Sequence, residues 1–241
     1  MKISFSTSFL MFALIILISG YINYFLIYFG IMIVHELGHL LIISIYKYKI
    51  NEIKIYPYGG VIDTDILFNI RSYKLFLISI AGIIAQIILF YLVPNSGTNN
   101  YMIFKMLNSS LIIYNLLPIY PLDGYKILMS LNENIFKYRI TLIISFLISI
   151  IFTILFYNYT KNTIIFIILY VMNILYFLKY KYIYFKFLLE RYLYKINYKK
   201  IKYVNNINSL YKCRNNYVIY DKIYLEEKEI LEKYLCKSID N

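Results

Sequence analysis

The chain has no tryptophan and only 2 histidines, 2 cysteines and 4 prolines among 241 residues. So few cysteines give no disulfide framework and no Cys-x-x-Cys metal spacing. Cys213 and Cys236 both lie in the polar C-terminal stretch and read as reduced cytosolic thiols. Acidic residues are also scarce, with 13 Asp and Glu against 25 Lys and Arg and a formal net charge of +12. A basic balance raises the question of nucleic acid, but no stacking platform or known nucleic-acid motif accompanies it, and no nucleic-acid partner is expected. A cleavable leader is not expected either. Met1–Gly20 opens with Lys2 before an apolar run, lacks a small-x-small cleavage site and continues into further apolar sequence, so it reads as a retained first span. No internal repeat is visible.

What the chain has in excess is hydrophobic residues, 61% in all, with 30 Tyr and 17 Phe. Soluble domains average about 45–50% apolar residues. The excess falls into six apolar segments, Phe5–Ser19, Ile22–Tyr46, Tyr73–Val93, Tyr101–Leu117, Ile140–Tyr157 and Thr163–Phe177. A helix needs about 20 residues to cross a bilayer, so the first and fourth are short. Lys47, Lys49, Lys54, Arg71 and Lys74 lie between the second and third segments. Lys126, Lys137 and Arg139 follow the fourth, and Lys179, Lys181, Lys186 and Arg191 follow the sixth. The alternate connections near Tyr21–Asn23 and Asn95–Asn100 are uncharged. With six spans, every basic connection and both termini fall on the cytoplasmic side. The expected fold is therefore an all-α polytopic membrane protein of about six helices. A small β-hairpin is expected over Ile53–Val61, with Gly59-Gly60 at the bend. Residues 1–186 would form the membrane domain and residues 187–241 a short basic tail. That tail begins as a Lys/Tyr-rich helix, ends as a helix near Leu225–Leu235 and is too short for a large core.

Both histidines of the chain sit in His35-Glu36-Leu37-Gly38-His39. On a helix, positions i and i+4 share one face about 5–6 Å apart, so two imidazoles there can hold one zinc. The glutamate beside the first histidine can reach a water at that metal and act as general base. Glu36 is the one acidic residue inside any of the six apolar segments. A charge at membrane depth is costly and marks a functional site by default. A catalytic zinc needs a third protein ligand. With no further histidine, that ligand is a carboxylate or a tail cysteine. Asp123 is one carboxylate on offer, in Asn115-Leu116-Leu117-Pro118-Ile119-Tyr120-Pro121-Leu122-Asp123-Gly124, where two prolines break the fourth segment.

His-Glu-Leu-Gly-His followed by Asn-x-x-Pro-x-x-Pro-Leu-Asp-Gly resembles the site-2 protease family of intramembrane zinc metalloproteases. More narrowly, it is similar to the stage IV sporulation protein FB group. Tyr56-Pro57-Tyr58-Gly59-Gly60, Ile80-Ala81-Gly82 and Phe187-Leu188-Leu189-Glu190-Arg191-Tyr192 resemble further segments of that group, and the likeness covers about residues 1–195. The resemblance implies one zinc held by His35, His39 and Asp123, with Glu36 as catalytic base. It implies that Asn115 positions substrate or an oxyanion, and that the hairpin at Gly59 and Gly60 pairs with an extended substrate strand. It also implies cleavage of the inactive precursor of the sporulation sigma factor sigma-K, in the outer forespore membrane facing the mother cell, with small membrane proteins as inhibitors. Two departures stand out: Ile83 follows Ala81-Gly82 where the family favours proline, and the tail is too short for a complete CBS domain.

Three rivals remain beside this expectation. The first is a site-2-type protease acting on an anti-sigma factor or on signal-peptide remnants. The second is a membrane protease of another His-Glu-x-x-His clan with a glutamate as third ligand. The third is a non-catalytic membrane scaffold, against which the intact Glu36 argues.

Overall fold

The computed structural model describes residues 2–57, 59–64, 70–119, 122–131, 140, 141, 143–148, 150, 151, scattered positions from 167 to 178, and residues 180–193, 198, 200–212, 214–220 and 223–232. Most of the fifth and sixth apolar segments, and Pro121, Lys137, Arg139, Lys179, Cys213 and Cys236, lie outside the described residues. The chain divides into two compact units, Met1–Leu67 with Leu77–Leu117, and Phe68–Phe76 with Pro118–Asn241.

The first unit opens on strand β1 (Lys2–Phe5), followed by helix α1 (Thr7–Ile18). Ser6 ends the strand and caps the helix, its hydroxyl accepting from Phe9 N at 3.1 Å. Phe9 is the buried residue of α1. Its ring meets those of Phe25 and Phe29 on helix α2 (Ile22–Ile45) at 6.2 and 5.8 Å. Strands β2 (Ile50–Tyr56) and β3 (Gly59–Thr64) pair antiparallel, and β1 pairs parallel with β2, giving the sheet order β1-β2-β3. Helix α3 (Ser72–Leu92), from Leu77 onward, and helix α4 (Asn99–Leu116) complete the unit.

Three helices each bury one stripe. On α2 it is Ile31, Met32, His35, His39 and Ile43, and on α3 Ser79, Gly82, Ile83 and Gln86. On α4 it is Phe104, Asn108 and Asn115. The spacing of three and four puts each set on one helical face. At Gly38, α2 touches α3: a Cβ there would stand 2.6 Å from the Ala81 carbonyl oxygen and 2.9 Å from the Ala85 Cβ. Small residues that admit such close backbone approach are typical of helix pairs in membranes. The opposite face of α2 presents Leu26, Ile33, Leu37, Leu41 and Ile45, all exposed. An exposed apolar face of this extent suits a lipid environment.

Among the described residues, α2 and α3 are the two helices long and apolar enough to cross a membrane. The expectation of six such spans is met only that far. At 12 residues, α1 is about 18 Å long, short of the ~30 Å hydrocarbon core. Polar Asn99, Asn100, Lys105, Asn108 and Asn115 interrupt α4. The hairpin is present, but its reversal lies between Tyr56 and Gly59, the pair that closes the ladder, so the glycines open β3 and do not form the bend. Pro57, with its fixed φ, occupies the turn instead. Ile83 in place of proline leaves α3 continuous from Ser72 to Leu92.

In the second unit, α5 (Asp123–Ser130) starts after the extended Leu122, and α6 (Tyr180–Leu193) carries the start of the tail. Strands β4 (Ile201–Val204), β5 (Asn215–Tyr220) and β6 (Ile223–Glu226) follow, with a 3₁₀ turn at Ile207–Ser209. The order is β4-β5-β6, parallel and then antiparallel. The fold is thus mostly helical with two small sheets, not all-α with one hairpin. The tail has a core of its own, made of Phe187, Leu188, Val204, Leu210, Val218 and Leu231. The helix expected near Leu225–Leu235 starts at residue 227, after β6 has taken residues 223–226.

Candidate metal centre

His35 and His39, one turn apart on α2, are 6% and 4% exposed, with ring centroids 4.7 Å apart. Each ring has its Nδ1 on α3: His39 Nδ1 lies 2.6 Å from the Ile78 carbonyl oxygen, and His35 Nδ1 lies 3.1 Å from Gln86 Oε1. A carbonyl only accepts, so His39 Nδ1 donates and its Nε2 carries a lone pair. That lone pair faces His35 Nε2 at 3.0 Å. Such a contact is favourable only with a proton on His35 Nε2 or with a cation shared by the two nitrogens. Two nitrogens on one tetrahedral zinc, each at roughly 2.0–2.1 Å, stand about 3.4 Å apart, so the pair needs to open by only a few tenths of an ångström. Outer nitrogens held by carbonyl and amide oxygens are the usual support for metal-binding histidines.

Gly82 makes this convergence possible. A Cβ there would fall 2.5 Å from His39 Nε2 and 2.8 Å from His35 Nε2, against the two nitrogens that face each other. Ile78, Gly82 and Gln86 are spaced by four along α3, so one stripe of that helix lines both rings.

Glu36 points to the hairpin. Its Oε1 accepts from Gly60 N at 2.6 Å, and its Oε2 is buried with no hydrogen-bond partner among the described residues. A Cβ on Gly60 would stand 2.7 Å from the carboxyl carbon, and one on Gly59 would stand 3.3 Å from Oε1. The hairpin is held in turn by Tyr28 on α2, whose hydroxyl donates to the Pro57 carbonyl at 2.5 Å.

Asp123 is the first residue of α5, 3% exposed, and pairs with Lys126 one turn on at 2.8 Å. The helix N-terminus favours its negative charge. His35 and His39 bring two donors of a metal-binding type together within the first unit, and Asp123, a buried carboxylate, belongs to the second. Asn115 is buried in the last turn of α4, which stops where Pro118 forces Leu117 into the extended region, at φ −62 and ψ 129. Sequence reasoning named these residues. It did not name the Ile78 carbonyl, Tyr28, the steric role of Gly82 or the contact of Gln86 with His35. The four-residue spacing of Ile78, Gly82 and Gln86 was the available signal.

The fold is similar to that of the site-2 protease from Methanocaldococcus jannaschii, with 24% sequence identity over 75% of this chain and 90% of that one, and a TM-score of 0.50. No protein-family model matches the sequence, and no curated protein matches it.

Proposed function

We propose that the chain is an intramembrane zinc metalloprotease that hydrolyses a peptide bond in or beside the bilayer. The observation that carries this reading is the facing pair of histidine nitrogens, next in sequence to a glutamate that has one oxygen tied down and one without a partner among the described residues. His35, His39 and Asp123 are the ligands of one zinc. Zinc, when bound, supplies the Lewis acid that polarises the scissile carbonyl and makes water a nucleophile near neutral pH. Glu36 Oε2 takes the water's proton and delivers it to the leaving nitrogen, while the Gly60 N–H fixes Oε1. Asn115 donates to the substrate or its oxyanion. The edge strand β3, from Gly59 and Gly60 onward, pairs with the substrate, which must be extended for its carbonyl to be reached. The intact carboxylate favours an enzyme over a scaffold, because a purely structural metal site has no use for a general base.

In the finer reading, residues 1–186 are the membrane protease domain, multi-pass with both termini in the cytoplasm, and residues 187–241 are a cytosolic tail. The substrate is the inactive precursor of sigma-K, the membrane is the outer forespore membrane facing the mother cell, and small membrane proteins act as inhibitors. What supports these choices is the pair of motifs at 35–39 and 115–124 with the segments at 56–60 and 187–192. The test is co-expression of the chain with a sigma-K precursor, comparing wild type with Glu36→Gln and Asp123→Ala. Cleavage by wild type alone supports both enzyme and site. Cleavage that survives Glu36→Gln removes the mechanism. No cleavage by any variant turns the search to anti-sigma factors or signal-peptide remnants as substrates.

A further inference from the structure

Gln86 is 1% exposed in the middle of α3, a helix long and apolar enough to cross a membrane, where a primary amide is expensive. Its backbone carbonyl accepts from Asn108 Nδ2 on α4 at 3.1 Å, and Asn108 is itself 0% exposed. Its side-chain oxygen faces His35 Nδ1 at 3.1 Å. Its side-chain nitrogen is buried with no partner among the described residues. One end of the amide is thus spent on a zinc ligand and the other end on nothing.

An amide can present either end to an imidazole, and the two ends have opposite consequences. With the oxygen forward, His35 donates from Nδ1 and its Nε2 is bare, ready for a metal. With the amide turned over, its NH₂ donates to Nδ1, so the ring proton moves to Nε2. That proton then satisfies the His39 Nε2 lone pair 3.0 Å away, and the two histidines close on each other with no place for a metal. His39 has no such choice, because the Ile78 carbonyl accepts in both states. Turning the amide also exchanges an unpartnered donor for an unpartnered acceptor, so neither state satisfies Gln86 fully.

We infer that Gln86 is a positioning residue for His35, a two-way amide that selects between a metal-binding histidine pair and a closed, metal-free pair. This rests on the zinc reading above and goes beyond it by assigning a residue that sets how readily the site loads. Only glutamine or asparagine can serve both states. A glutamate offers acceptors alone and stabilises the open state, whereas leucine supports neither.

The experiment is zinc binding to the purified full-length protein in detergent, by competition with a chromophoric chelator, for wild type, Gln86→Glu and Gln86→Leu. Gln86→Leu is expected to bind about 10–100-fold more weakly than wild type, and Gln86→Glu at least as tightly as wild type. ¹⁵N-histidine spectra of zinc-free wild type report the second half, and the two histidines of the chain keep the assignment simple. One ring is expected with its proton on Nε2 and the other with its proton on Nδ1. Equal binding by wild type and Gln86→Leu overturns the inference, as does Gln86→Glu binding more weakly than wild type. If Gln86→Leu does not fold, the glutamate variant and the wild-type spectra decide alone. Failure of wild type itself to bind zinc overturns the metal reading and this inference together, an outcome distinct from the other two.

Discussion

The two units each contain a three-stranded sheet of the same plan, parallel then antiparallel, and each is associated with one half-buried glutamate. Beside β3, Glu36 receives a single N–H, from Gly60, and keeps a bare, buried oxygen. In the tail, Glu227 pairs through Oε1 with Arg191 Nε. Its Oε2 accepts from Arg191 Nη2 at 2.7 Å and from Asn216 Nδ2 at 3.0 Å. Arg191 spends its remaining donors on the carbonyls of Tyr211, Lys212 and Arg214. The first carboxylate is left incomplete and the second is saturated. Buried polar groups that serve only stability are normally satisfied, so a spare oxygen points to chemistry and a full shell to architecture.

Neutralising each glutamate sharpens this contrast most. Glu36→Gln is expected to lower cleavage by about 10²–10⁴-fold while leaving the melting temperature unchanged or raised, since no ion pair is lost. Glu227→Gln is expected to do the reverse. It leaves a guanidinium with 5% exposure facing neutral groups, at a cost of about 3–5 kcal/mol in reversible denaturation, and leaves zinc affinity as it was. Replacing Arg191 and Glu227 together with Met and Leu should recover part of that loss. If Glu36→Gln proves as destabilising as Glu227→Gln, the distinction between the two carboxylates is wrong.

Gly60→Ala tests the same carboxylate from the backbone side. The new Cβ would stand 2.7 Å from the Glu36 carboxyl carbon and must push the side chain aside. A displacement near 1 Å costs about 10²-fold in rate, so kcat should fall by roughly that factor with zinc binding and stability little changed. A kcat equal to wild type would remove the hairpin from the mechanism.

Much of the candidate site was legible because its chemistry is local. Two histidines and a glutamate within five residues on one helix define a face before any tertiary structure is known. The break in the chain before Asp123 was legible, since Pro118 ends α4 in the way the sequence implies. The missed parts are non-local or depend on an absent side chain. β1 reads as the start of an apolar span because Ile3 and Phe5 are hydrophobic, and its partner β2 lies about fifty residues on, at Glu52 to Ile55. The tail sheet was hidden by Tyr, Lys and Asn, which also suit an exposed helix, until Val204 and Val218 close the core with Phe187 and Leu231. Gly82 carries no atom to announce its role; only the arrangement of α2 on α3 shows what a Cβ would strike.

Gly38 and Gly60 separate a packing glycine from one beside the Glu36 carboxylate. Gly38 lies against backbone: a Cβ would sit 2.6 Å from the Ala81 oxygen and 2.9 Å from the Ala85 Cβ, and neither atom is the movable end of a flexible chain. Gly38→Ala must therefore move α2 and α3 apart by a few tenths of an ångström. Overpacking of this kind costs about 1–3 kcal/mol, seen as a lower midpoint in denaturation in detergent. The same shift lengthens His39–Ile78 and His35–Gln86, which are measured across that interface, so zinc affinity should fall a few-fold as well. Ala85→Gly in the Gly38→Ala background removes the side-chain clash but not the carbonyl clash, and partial recovery is expected. Full recovery would mean that Ala85 alone sets the helix spacing, and no recovery would place the whole constraint on the Ala81 carbonyl. A Gly38→Ala protein as stable as wild type would show that the two helices are not in backbone contact at this point, and the support that α3 gives both histidines would have to be sought elsewhere.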